Sequence, residues 1–168
     1  PLAAEAWLHN EIGLYYERLY LESGDARYLD SAYSAYEEAA RLNRLDANIL
    51  YNMTETEFRR QRIAETPDYT LVKELIEKIN QTEPEYTPAR ILEGRVLFAE
   101  GKMDEAEYRY QSVSGQIGHD AIALMALAEA YMDLGRYSDA AEAIKRARRL
   151  QPWNVRIQAL GKHLEELA

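Results

Sequence analysis

Residues 121–154 read AIALMALAEAYMDLGRYSDAAEAIKRARRLQPWN, and this stretch decides the fold. Apolar residues recur at spacings of three and four on both sides of Gly135: Leu124, Leu127, Ala128 and Tyr131 before it, Ala140, Ile144 and Ala147 after it. That pattern predicts two amphipathic helices, and so short a break between them forces an antiparallel pair. The arrangement then returns upstream at a fixed interval. Val72, Ala106 and Ala140 are equally spaced, and the same step separates Ile76, Tyr110 and Ile144, then Ile79, Val113 and Ala147. Breakers keep that step: Pro67, Gly101 and Gly135 before each second helix, Pro84, Gly118 and Pro152 after it. A constant period of this length means stacked supersecondary units, none of which can bury its apolar face alone.

Helical periodicity runs along the whole chain, and no segment alternates with a period of two between turn residues. The predicted helices are 4–22, 28–43, 48–65, 69–81, 86–100, 104–116, 120–134, 138–150 and 154–167. Short connections such as Ser23-Gly24-Asp25, Gly101-Lys102 and Gln151-Pro152 separate them.

Leu124, Leu127, Ala128, Tyr131, Gly135, Ala140, Ile144, Ala147 and Pro152 resemble the tetratricopeptide repeat. Its first helix carries a Leu-x2-Leu-Gly-x2-Tyr pattern, its second Ala-x3-Phe and a closing Pro, and its length of about 34 residues is the step found here. Residues 87–120 resemble it through Gly94, Leu97, Gly101, Ala106, Tyr110 and Val113, with Arg90 and Glu93 departing where apolar residues are usual. The resemblance implies an all-α fold, a right-handed superhelical α-solenoid of antiparallel helix pairs. About four units, 4–46, 47–86, 87–120 and 121–153, would form one domain over 1–168, closed by a capping helix 154–167. Ala128 and Gly94 would admit the paired helix, and Tyr110 or Ile144 would fill space against the next unit.

The N-terminal half keeps the pattern less well. Ala32, Tyr36 and Ala39 repeat the second-helix signature, but Ala32 precedes Val72 by six positions more than one period. Arg59 and Arg60 occupy the register of Leu127 and Ala128. The helices ending near Glu22 and Glu65 are therefore expected to run one to two turns longer than the family standard. At the other end Val155, Ile157, Leu160, Leu164 and Leu167 predict an amphipathic helix that covers the last unit's apolar edge.

Composition narrows the function. The chain has 168 residues, is 47% hydrophobic and 29% charged, and so has the material for a globular core. A net charge of −9 argues against a phosphate-backbone binder, which needs clustered cations. The charge is graded: residues 1–52 carry 9 acids and 4 bases, whereas 121–154 carry 4 acids and 5 bases, among them Lys145, Arg146, Arg148 and Arg149. With no cysteine, disulfides and thiolate metal sites are excluded. No apolar run is long enough for a membrane span; the longest is Ala121 to Ala128. Pro1 is not an initiator Met, which leaves room for a leader, an anchor or a further domain. The sequence leaves the compartment open between the cytoplasm and, if a signal or anchor precedes Pro1, the periplasm.

Catalytic constellations are missing from the sequence. His9, His119 and His163 have no metal-ligand spacing, and the eight glycines form no phosphate loop. No catalytic, cofactor or metal residue is assigned, and a non-catalytic role is expected. Thirteen tyrosines, seven of them before residue 52, suit helix interfaces, where the ring buries apolar area and the hydroxyl reaches a polar edge.

In the resembled family the first helices of successive units line a concave groove that receives a peptide or a partner helix. Carried over, the groove-facing residues are Ile91, Arg95 and Phe98, then Ile122, Met125, Glu129 and Met132, then Arg156 and His163. Such a surface combines an adaptable Met-containing centre with charges that would orient a ligand. The polar set with which chaperone-binding members grip a C-terminal carboxylate is missing, since Ile91, Leu92, Met125 and Ala126 stand there. A protein or peptide partner, an amphipathic helix or an extended apolar segment, is expected, with no nucleic acid, no membrane span and no cofactor. The alternatives are a homodimer through the Tyr-rich first helices or the terminal helix, and a regulatory or adaptor segment of a larger enzyme or envelope-assembly protein.

Overall fold

A computed structural model describes residues 1–168 and contains nine α-helices, one 3-10 turn and no strand. Contacts divide the chain into two compact units, 1–86 and 87–168, with the boundary falling between the second and third predicted repeats. The first unit holds α1 (Leu2–Ser23), α2 (Arg27–Leu42), α3 (Ala47–Arg62) and α4 (Thr70–Thr82). The second holds α5 (Thr87–Ala99), α6 (Met103–Val113), a 3-10 turn (Ser114–Gln116), α7 (Ala121–Asp133), α8 (Tyr137–Leu150) and α9 (Val155–Leu167).

Within the second unit the period is built into the ends of the helices. Gly101 and Gly135, one period apart, have φ of 82° and 70°, the left-handed region that only glycine enters without strain. Each closes its helix in the same way. The Lys102 N–H bonds Leu97 O at 2.9 Å and the Gly101 N–H bonds Phe98 O; the Arg136 N–H bonds Tyr131 O at 2.8 Å and the Gly135 N–H bonds Met132 O. Helix starts repeat too: Asp120 Oδ1 accepts from the N–H groups of Ile122 and Ala123, and Asn154 Oδ1 from those of Arg156 and Ile157. Asp46 does the same for α3 in the first unit.

Helix pairs close by fitting a tyrosine ring into a glycine notch. A Cβ on Gly94 would lie 2.5 Å from Tyr110 Cε1, and one on Gly13 would lie 2.4 Å from Tyr36 Cε1. Tyr110 thus sits on the first helix of its own pair, where the repeat pattern leads one to expect it against the next unit. Alanine would improve helix propensity by about 1 kcal/mol, but it forces the buried ring aside. Overpacking of this kind costs about 1–3 kcal/mol. Gly94→Val, which gains less propensity and adds more bulk, is expected to lower stability by about 2 kcal/mol. Denaturant unfolding of Gly94→Val and of Gly94→Val with Tyr110→Leu measures this; an equal loss in both would refute the notch.

In the first unit α1 has 22 residues and α3 has 16, against 13 for α5 and α7, so both first helices are longer, α1 by more than the expected one to two turns and α3 by less than one turn. Helix α3 ends at Arg62, three residues before the predicted stop. Thr66 precedes Pro67, and a residue in that position avoids the helical region. Gln61 then anchors the turn: its Oε1 accepts the Asp68 N–H at 3.0 Å while its Nε2 donates to Glu57. The helix predicted over 104–116 likewise ends at Val113 and tightens into the 3-10 turn.

Polar side chains crowd the interior of the first unit. Glu17 is fully buried on α1; Tyr36 OH donates to its Oε2 at 2.7 Å, and Arg59 Nη1 lies 3.7 Å from its Oε1. Arg59 Nε also donates to Glu55 Oε1 at 2.6 Å. Closer to the helix starts, Asn52 Nδ2 donates to Asn10 Oδ1 at 3.0 Å. Both α1-to-α3 pairs, Asn10 with Asn52 and Glu17 with Arg59, are separated by the same interval along the chain. Neighbouring first helices therefore keep a constant offset here as well, about two helical turns longer than downstream. On the outer side Arg60 donates to Asp30 and Glu57 and lies 4.7 Å from the Tyr33 ring centre, tying α3 to α2. Burial first, then the Glu37 carboxylate, pushes the Tyr33 hydroxyl above its ordinary pKa.

Candidate partner-binding groove

Three first helices of the second unit lie in sequence: α5 packs on α7, and α7 meets α9. Their second helices pack behind them, α6 on α5 and α8 on α7. Alanine and glycine make this possible, since Ala123, Ala126, Ala128 and Ala130 are all buried along α7 and Gly94 is buried on α5. The nine residues carried over from the repeat pattern fall on this row of first helices, and several are related by the period. Glu129 stands one period after Arg95, Met125 one period after Ile91, and His163 one period after Glu129.

Their surroundings differ sharply. Phe98, Ile122, Met132 and His163 are half-buried and reach solvent. Ile91 is fully buried and belongs to the core, and Met125 and Arg156 are nearly so. Arg95 and Glu129, expected from the repeat pattern to orient a ligand, bond one another instead. Arg95 Nη1 donates to Glu129 Oε2 at 3.0 Å and Arg95 Nε to Asp133 Oδ2 at 2.8 Å. All three side chains are at most 10% exposed. Asp133 is not among the residues the repeat pattern picks out. The signals for it are nonetheless in the sequence: Asp133 is four residues after Glu129, hence on the same helix face, and Arg95 precedes Glu129 by one period, hence lies beside it on the neighbouring helix.

Two of the charges expected to orient a ligand are thus spent within the row of first helices, Arg95 on Glu129 and Asp133. What remains accessible on α5 and α7 is apolar and soft, Phe98, Ile122 and Met132, with His163 half-buried on α9. The pairing also clips α5 to α7 through a two-pronged guanidinium contact, which holds the half-exposed residues in register.

The terminal helix α9 buries Ile157, Leu160 and Leu164 against the preceding pair, while Val155 and Leu167, expected on that same side, are exposed. No cluster of three or more His, Asp or Glu side chains is placed to hold a metal ion. No helix is long and apolar enough to cross a membrane.

These features define an all-helical repeat protein whose first helices form a row. Residues 97–164 match the tetratricopeptide repeat family, and the chain is similar to that family over this stretch. No curated protein sequence matches it. Among solved structures it is similar to MamA, residues 41 to the end, from Desulfovibrio magneticus RS-1. The two share 22% identity at a TM-score of 0.51, over 97% of this chain and 85% of that one. It is also similar to TTC0263, a thermophilic tetratricopeptide-repeat protein of Thermus thermophilus, at 19% identity and a TM-score of 0.42, over 96% and 98%. The likeness to MamA concerns the fold.

Proposed function

We propose that this chain is a non-catalytic interaction scaffold whose second unit receives an apolar protein segment across α5 and α7. The tetratricopeptide-repeat fold supports a protein–protein interaction scaffold in general terms. The observation that carries the finer reading is the contrast within the groove: Phe98, Ile122 and Met132 remain accessible while Arg95 is occupied by Glu129 and Asp133. A ligand would be held by side chains inserted among soft apolar groups, the mode by which a groove takes an amphipathic helix.

The test is a displayed random-peptide library selected on the intact chain. Enriched sequences are expected to carry large apolar residues three and four positions apart, and to bind at least tenfold more weakly to the double variant Ile122→Glu, Met132→Glu. Peptides held equally well by that variant, or enrichment of acidic tails without apolar anchors, would overturn the reading. Arg95 is unsuited to this test, because its replacement disturbs the fold as well as the groove.

A further inference from the structure

The first helix presents a second apolar face that the fold does not use. Its inner side, Ala6, Asn10, Gly13 and Glu17, is buried, at spacings of four, three and four. Leu8, Ile12, Tyr15 and Leu19 follow the same spacings on the opposite side. Leu8 is 52%, Ile12 36% and Tyr15 51% exposed, and Leu19 is half-buried. Trp7 and Leu2 extend this apolar surface and are also exposed. A helix that is apolar all round is ordinarily covered on every side. A contiguous exposed stripe of this kind marks an interaction surface.

Charge indicates what covers it. Glu5, Glu11 and Glu22 border the stripe, and Arg18, which lies over the Tyr15 ring and near Glu22, is the only arginine or lysine on the helix. A partner face must therefore be apolar at its centre and basic at its margin. Pairing α1 with its own copy would set carboxylates against carboxylates and is disfavoured.

The far end of the same chain has the required composition. Trp153 is 74% exposed and Val155 44%, and Arg148, Arg149 and Lys162 are exposed around them in sequence. Tryptophan with neighbouring arginines is the composition from which interface hot spots are most often made. Residues 1–52 carry a net charge of −5, whereas 121–154 carry +1. The two ends are matched in apolar character and opposed in charge.

We infer that the outer face of α1 in one copy binds the Trp153 end of a second copy, head to tail. The contact is heterologous, so every open assembly keeps one free head and one free tail, and association continues until a ring closes or a filament grows. It does not use the groove. Val155 and Lys162 each precede a groove residue, Arg156 and His163, by one position, about 100° around α9. The inference accordingly does not rest on the peptide-binding reading.

The experiment measures the mass of the full chain by light scattering and sedimentation at rising concentration, in low and in high salt. The head variant is Leu8→Glu with Tyr15→Glu, and the tail variant is Arg149→Glu with Trp153→Glu. All four positions are exposed, and unchanged helical circular dichroism verifies folding; Leu8→Gln with Tyr15→Gln serves as the milder head variant. The wild type is expected to grow beyond a dimer with concentration, less so in high salt. Each variant alone should stay monomeric, associating at least tenfold more weakly. An equimolar mixture of the two should form a 1:1 dimer and stop, since one intact head and one intact tail remain. A wild type that stays monomeric overturns the inference, as does a tail variant that still dimerises or a mixture that stays monomeric.

Discussion

Replacing Arg59 by methionine is expected to destabilise the first unit by about 3–5 kcal/mol, the cost of removing one member of a buried ion pair. Two carboxylates depend on this guanidinium. Glu55, at 1% exposure, receives its Nε hydrogen bond at 2.6 Å, and fully buried Glu17 lies 3.7 Å from its Nη1. Methionine fills similar volume, so the loss reports electrostatics and not a cavity. Tyr36 continues to donate to Glu17, and a neutral donor does not replace the guanidinium's charge. With an m-value of about 2 kcal/mol/M, the urea midpoint would fall by about 1.5–2.5 M. The triple variant Arg59→Met, Glu17→Gln, Glu55→Gln should recover much of this, because the penalty belongs to the stranded charges. A loss below about 1 kcal/mol for the single variant would mean that solvent serves these carboxylates and that the network is not buried in effect.

Arg95→Met should cost about 3–5 kcal/mol for the same reason, now in the second unit. Its guanidinium bonds Glu129 and Asp133 at 3.0 and 2.8 Å, one on each prong. Arg95→Lys is the sharper comparison. Lysine keeps the charge but lacks the planar fork that spans two carboxylates, so one charge-assisted bond is lost. The expected cost is about 1.5–3 kcal/mol. Arg95→Glu would gather three carboxylates and unfold the α5–α7 contact, which also removes the proposed binding surface. If Arg95→Lys matched the wild type in urea, the fork would be irrelevant and simple charge balance sufficient.

The helices are legible in the sequence because their signals are local. Gly101, Gly135 and Pro152 end segments by backbone conformation alone, and apolar residues at three and four mark the inner faces of α4, α6 and α8. The stop of α3 is harder to place, and the expected one lies three residues too late, because Ala64 and Glu65 are acceptable in a helix; the limit comes from Pro67, acting through Thr66. The row of first helices is legible as a place, and its residues are not legible as groove or core. Ile91 and Ile122 look alike in a sequence, yet one is buried under neighbouring helices and the other reaches solvent. Depth is a property of packing between helices, which periodicity within one helix does not encode.

Charge misleads for a related reason. Polar residues on a binding face are ordinarily exposed, which assigns Arg95 and Glu129 to a ligand. Their separation by one period is the sign that they face each other. In the first unit the equivalent sign is concealed, since Glu17 and Arg59 lie more than one period apart and a search at the downstream interval passes over them. Asn10 and Asn52, at the same wider interval, are the pair that reveals it.

The lateral polar contacts also decide which repeats can be exchanged. Arg95, Glu129 and His163 occupy one position in successive first helices, and the first two pair by opposite sign. Excising one full period, from Met103 to Arg136, would preserve every hydrophobic spacing and every glycine turn, yet it would bring Arg95 beside His163. Duplicating the same block would set one acidic helix face against another. The modules are thus alike in shape and distinct in polarity, and their order along the chain is written in a single column of side chains.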